Sequence, residues 1–231
     1  MKIKRYRKLF QSTCLLCGLM AMTTLVSCAP ATEEVVNPNF TKETYPRVDG
    51  STATIPLSQS FAAKLLSISA DESKKFIKHN TTHNAYVNLI DGKADIIFVT
   101  EPSQEELSLA KSKGVELEVV PIVKEAFVFL VNKQNPVSTL TVQQIQDIYQ
   151  GKIKNWKDVG GPDKEIIAYQ RPDNSGSQTL MQNQVMKGLK MAEAPTELKP
   201  ADMEGLIEVV ASYDNSDQAI GYSVYYYANS M

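Results

Sequence analysis

The sequence predicts an α/β protein built as two lobes, and two observations carry that expectation. Strand-like apolar runs alternate with helix-like segments along most of the chain. Past residue 132 the alternation restarts after a polar break, so two units fit the length better than one wide sheet. The lobes are expected at 45–127 and 128–231, the second ending early.

The chain begins with a segment set apart from both lobes. Residues 1–27 hold Lys2, Lys4, Arg5, Arg7 and Lys8 and no acid, and an apolar stretch follows over 9–26. A basic start before a short apolar run is the pattern of a secretory signal peptide, and the polar residues Gln11, Ser12, Thr13, Thr23 and Thr24 weigh against a membrane-spanning anchor. The leader ends in Leu25-Val26-Ser27-Cys28. That run resembles the bacterial lipobox, in which a small residue precedes a cysteine that becomes lipidated. Acyl chains on Cys28, palmitate among them, would hold the protein on the extracytoplasmic face of the cell membrane. Cys14 and Cys17 lie inside the leader with no second pair to complete a zinc site. Residues 28–44 are polar and read as a flexible tether.

The first lobe opens with a short strand over 44–48, ending at Asp49-Gly50. Pro56 starts a helix that aligns Leu57, Phe61 and Leu65. A strand over 75–79 and a helix carrying Tyr86, Leu89 and Ile90 follow, the helix closed by Asp91-Gly92. The continuous apolar run 96–99 reads as a parallel strand buried on both faces. A charged helix spans 104–113, and two further strands are expected at 119–123 and 126–131. In the second lobe a helix over 141–149 places Val142, Ile145, Ile148 and Tyr149 on one face. A turn-rich stretch leads to a strand over 165–170, a helix from Ser177, and a helix near Met203 that aligns Leu206, Ile207 and Val210. An aromatic strand is expected over 219–227, with Trp156 and the Tyr225-Tyr226-Tyr227 run as packing residues.

Composition narrows the function. The 24 Lys+Arg against 26 Asp+Glu give a formal charge of -2, and removing the leader's five basic residues leaves 19 against 26, or -7. That balance lacks the basic face of a nucleic-acid binder. The 3 Cys exclude a disulfide scaffold. There is no G-x-x-x-x-G-K-[ST], no G-x-G-x-x-G and no G-x-S-x-G, so nucleotide binding and a serine nucleophile elbow lack support. His79 and His83 stand four apart without a cysteine partner, and no metal or other cofactor is expected.

Three turns combine hydroxyl residues with a helix start: 49–56, 80–82 and 171–177. The first N–H groups of a helix are unpaired and attract oxyanions. Serine and threonine add donors, glycine allows close backbone approach, and Arg171 brings a guanidinium fork suited to two oxygens of one anion. The same residue types also cap helices and make turns, so each turn alone has a structural explanation.

At these turns the chain resembles the phosphate-binding lipoproteins of bacterial phosphate ABC transporters, a branch of the type II periplasmic-binding-protein fold. The most specific piece is R-x-x-x-S-G-[ST], here Arg171, Ser175, Gly176 and Ser177. The run Thr54-Ile55-Pro56, the hydroxyl of Thr82 and the segment 148–156 also match. The resemblance implies phosphate held by Arg171, by the hydroxyls of Thr54, Thr82, Ser175 and Ser177, and by the Ile55 and Gly176 backbones. It implies no catalysis, a monomer, closure about a hinge near 124–132, and delivery to an ABC permease. Two departures stand out. The family's aspartate, which takes the proton of hydrogen phosphate and rejects sulfate, aligns with Thr100, beside Glu101. The family also continues past the Gly221-Tyr222 strand and returns to the first lobe, so a fragment with an uncovered apolar face is expected. The alternatives are another oxyanion (sulfate, molybdate or tungstate), a surface sensor or adhesion lipoprotein, and, with no base in evidence, a hydrolase using Ser175.

Overall fold

The computed structural model describes residues 39–212 and 216–230. The leader, Cys28 and most of the tether lie outside the described residues. Two sheets organise the rest. One is a parallel pair, β1 (Val48–Gly50) with β2 (Ile96–Phe98), in the register Val48 to Ile96 and Gly50 to Phe98. Around it stand α1 (Ile55–Leu66), α2 (Ala70–Phe76), α3 (Thr82–Ile90) and α4 (Gln104–Ser112). The second sheet has the order β3-β5-β4, with β3 (Phe127–Val131) antiparallel and β4 (Ile167–Ala168) parallel to β5 (Ala219–Val224). Its helices are α5 (Val142–Tyr149), α6 (Gly176–Leu180) with a π-helical continuation Met181–Met186, α7 (Met203–Ser212) and α8 (Tyr225–Ser230).

Helix starts follow local chemistry. Ser69, Thr81, Ser103, Thr141 and Ser175 each accept the N–H three residues on, and Glu106 and Gln144 reciprocate as capping boxes for α4 and α5. The largest core lies under the second sheet. Trp156, Tyr149, Met181, Ile220 and Tyr222 are all buried there, and the Trp156 indole N–H donates to Gln218 O at 2.9 Å. A second cluster joins Tyr169, Leu206 and Val210, and a smaller one joins Tyr45, Ala62 and Ile77 near α1.

Several sequence expectations change. The strand expected at 75–79 is instead the end of α2 and an extended stretch. Ser69 caps α2, Asp71 and Glu72 favour its first turn, and residue 80 spends its backbone N–H on the Asp49 carboxylate rather than on a ladder. Residues 119–123 form no strand. An apolar run becomes a strand only with a neighbour to take its hydrogen bonds, and β3 pairs with β5 in the other sheet. Val119, Val120, Ile122 and Val123 are therefore exposed. β2 is half-buried rather than covered on both faces, because its sheet has two strands. The strand of 219–227 ends at Val224, and the tyrosine run coils into α8 with Tyr225 and Tyr226 exposed. On α5, Val142 faces solvent while Ile145, Ile148 and Tyr149 are buried. On α1, Phe61 is exposed but stacks on Phe98 at 5.5 Å.

Candidate functional site

The loop 171–177 joins β4 to α6, and Arg171 sits at its root. The backbone N–H of Arg171 donates to the Tyr222 hydroxyl at 3.0 Å and to Gln178 Oε1 at 3.1 Å, and Tyr222 O–H donates to the same Gln178 oxygen. The guanidinium is held as firmly: Nε donates to Pro200 O at 3.0 Å, Nη2 to Ala201 O at 2.9 Å, and Nη1 to Ser177 Oγ at 3.5 Å. A guanidinium has five N–H groups. Among the described residues two remain unused, one on each terminal nitrogen, a pair suited to gripping two oxygens of one anion.

Arg171 is only 6% exposed. Burial holds its pKa below the ordinary value, against the pull of Tyr222, Asp202 and Tyr227. Among the described residues no carboxylate lies within 4 Å of it. A buried cation normally has a counter-charge; among the described residues the side-chain hydrogen bonds of this one go to carbonyls and a hydroxyl, and Asp202 acts on it only at longer range.

Gly176 draws the two sheets' residues together. A Cβ at this position would lie 2.8 Å from Thr82 Oγ1 and 2.9 Å from Thr100 Oγ1. Thr82 is buried at the first position of α3, and Thr100 follows β2 by two residues. The Thr100 hydroxyl is buried with no hydrogen-bond partner among the described residues, while its carbonyl accepts from Tyr86 O–H at 2.6 Å. A buried hydroxyl without a partner is costly unless a ligand or water satisfies it. Ser175 caps α6, and the neighbouring Asn174, in the left-handed region at φ 61, donates to Glu105 Oε2 on α4 at 2.6 Å.

Thus Thr82, Thr100 and Gly176 meet, and Arg171 meets Ser177. The other expected residues stand further off. Thr54 O–H lies 2.6 Å from Phe98 O and 3.0 Å from Ser51 O, so its proton is engaged within the protein. Ile55 N–H closes a turn onto Thr52 O. Thr54, Thr100 and exposed Glu101 border a cavity of about 640 Å³, largely apolar, that does not reach Arg171. No sequence signal marks Tyr222, Gln178, Tyr86 or the carbonyls of Pro200 and Ala201 as part of the site. Gln178 directly follows the 171–177 run without being part of its pattern, the others are distant in the chain, and the pairing of β5 with β4 brings Tyr222 to Arg171.

A family model for the PBP superfamily domain matches residues 38–229. The chain belongs to the PBP superfamily. It is 30% identical over 184 residues to the phosphate-binding protein PstS of Staphylococcus saprophyticus, covering 77% of this chain and 54% of that protein. PstS of Bacillus subtilis is 25% identical over the same length, covering 77% and 59%. A solved structure from Clostridium perfringens, a putative phosphate ABC transporter substrate-binding protein with bound phosphate, is similar at a TM-score of 0.59 and 29% identity. The similarity covers 78% of this chain and 70% of that one. The chain spans little more than half the length of the curated relatives it matches. These PBP-superfamily relatives are binding proteins, not enzymes. Among the described residues no helix is long and apolar enough to cross a membrane.

Proposed function

We propose that this chain captures inorganic phosphate outside the cytoplasm, anchored by lipid on Cys28, and hands it to an ABC permease. One observation carries the reading: a buried Arg171 that, among the described residues, keeps two N–H groups unused and has no carboxylate within 4 Å, next to the hydroxyls gathered at Gly176. Phosphate would supply a hydrogen-bonded counter-charge, take the two unused N–H groups of Arg171, and satisfy the Thr100 hydroxyl that has no partner among the described residues. The PstS relatives and the phosphate-bound structure support the ligand class. On this reading residues 45–127 and 128–231 act as two lobes that meet at Gly176. The segment without secondary structure before β3 serves as the hinge, since 127–131 is itself a paired strand.

Titration calorimetry of the purified protein tests this. The expected result is phosphate binding at micromolar affinity or tighter that disappears in Arg171→Ala. No heat with phosphate or sulfate would overturn it. Labelling with radioactive palmitate, lost in Cys28→Ala, tests the anchor.

Thr100 favours a second reading, an oxyanion that carries no proton, such as sulfate. The residue facing Gly176 is a hydroxyl, and the nearby carboxylate, Glu101, is exposed. A hydroxyl accepts the proton of hydrogen phosphate and donates to sulfate equally well, so discrimination between them should be modest. Competition between the two anions in the same calorimeter separates the readings.

A further inference from the structure

His79 stands outside the anion cradle yet is built into the turn beside it. It lies in the extended stretch between α2 and α3, with its ring against the 51–54 turn and the backbone of Gly50. Nδ1 is 2.7 Å from Ser51 O and 3.4 Å from Thr54 Oγ1. A carbonyl oxygen only accepts, so the ring proton must be on Nδ1. Thr54 in turn aims its hydroxyl at Phe98 O, two residues before Thr100. A Cβ at Gly50 would fall 2.6 Å from His79 Cε1 and 2.5 Å from Phe98 O, so a bare backbone at 50 is what admits the ring.

The far side of the ring is different. Nε2 is buried and has no hydrogen-bond partner among the described residues. A second proton there would create a charged N–H with no acceptor. The charged group acting on the ring is Asp49 of β1. Its carboxylate is already committed to the N–H of Gly50, the backbone and side chain of Asn80, and the side chain of Asn88. The turn contributes Ser51 and Thr54, which do not titrate, and β2 contributes a carbonyl. Burial holds the imidazole below its ordinary 6.5, against the opposite pull of the Ser51 carbonyl and the Asp49 charge.

We propose that His79, with its proton on Nδ1, is a positioning residue that fixes the 51–54 turn beside the anion site, an inference that rests on the phosphate reading of that site. Below its ordinary pKa the unfolded or displaced ring gains a proton that the seated ring refuses. The seated arrangement is therefore intact above 6.5 and is lost progressively as pH falls below it. Acid should then weaken phosphate binding through a residue that never touches the anion.

The test uses the full chain, inorganic phosphate, and calorimetry from about pH 5 to 8, together with ring-nitrogen NMR of the unliganded protein. The NMR should show a neutral ring protonated at Nδ1. His79→Phe should bind about tenfold more weakly, having lost one donor. His79→Asn keeps an N–H where Nδ1 was but does not titrate. It should bind within about threefold of the wild type near neutral pH and lose the excess weakening in acid. Phosphate's own titration is common to all three proteins and cancels in their ratios. A ring protonated on Nε2 would overturn the proposal, as would a Phe variant with wild-type affinity and pH profile, or an Asn variant as acid-sensitive as the wild type. If the wild type itself gives no heat with phosphate, the reading of the site fails, and the positioning role fails with it whatever the tautomer.

Discussion

A lysine at position 171 would carry the same charge as Arg171 and still be unequal to its task. Three of the arginine's N–H groups are held by Pro200, Ala201 and Ser177, and two are left over. An ammonium has three donors on a single point and must choose between those carbonyls and the anion. Arg171→Lys should fold normally by circular dichroism and bind phosphate at least tenfold more weakly in calorimetry. Gly176 is similarly intolerant. Gly176→Ala drives a methyl to within 2.8 Å of Thr82 Oγ1 and 2.9 Å of Thr100 Oγ1. Overpacking of this kind costs about 1–3 kcal/mol, and here it should appear as lost affinity more than as a lower Tm. Thr100→Asp supplies an acceptor that sulfate cannot use. The ratio of phosphate to sulfate affinity should rise, and an unchanged ratio would mean that Thr100 does not face the anion. R-x-x-x-S-G-[ST] marks Arg171, Gly176 and Ser177 in the sequence, and the structure places Arg171 against Ser177. The groups that aim Arg171 were illegible, because Tyr222 lies on a strand 51 residues away.

Among the elements, the contact between α4 and the 171–177 loop is the most exposed to test. Asn174 holds φ 61 and donates to Glu105. Asparagine tolerates the left-handed region and alanine does so at a cost of about 1 kcal/mol. Asn174→Gly keeps the backbone and loses only the bridge to α4, whereas Asn174→Ala loses both. The Ala variant should therefore have the lower Tm, with affinity reduced in each. The parallel pair β1 and β2 has a different sensitivity. Arg47's side chain and backbone N–H hold Asp95 at about 2, stapling the two strands where they begin. A carboxyl lowered on folding stabilises fully above its ordinary 3.8 and ceases to do so as pH falls towards 2. Arg47→Ala should flatten that part of the acid-unfolding curve. Most helices were legible from starts and periodicity, as the helix opened by Pro56 and the 141–149 helix with its buried Ile145, Ile148 and Tyr149 illustrate. α2 was missed because its seven residues offer no apolar stripe, only Ser69 and a pair of acids. The strand at 119–123 was over-read for the opposite reason. Apolar β-branched residues signal a strand, but only a partner makes one.

For the whole molecule, that exposed run is the main liability. Val119, Val120, Ile122 and Val123 are each more than half exposed. They should bind a hydrophobic dye such as ANS, and Val120→Lys with Ile122→Lys should reduce both dye binding and aggregation with little change in Tm. The alternation of strands and helices was readable along the chain, but the pairing was not. β3 follows β2 in sequence and yet lies beside β5, a choice made by Tyr222 and the core under it rather than by anything local. The contact at Gly176 also has a consequence for rates. Thr82 and Thr100 stand against that backbone, Asn174 is tied to Glu105 and Arg171 is almost fully buried. If phosphate binds at Arg171 as proposed, its capture should wait for the contact to part. In stopped-flow mixing the observed rate should climb with phosphate and level off at the opening rate, where an open cleft would give a straight line.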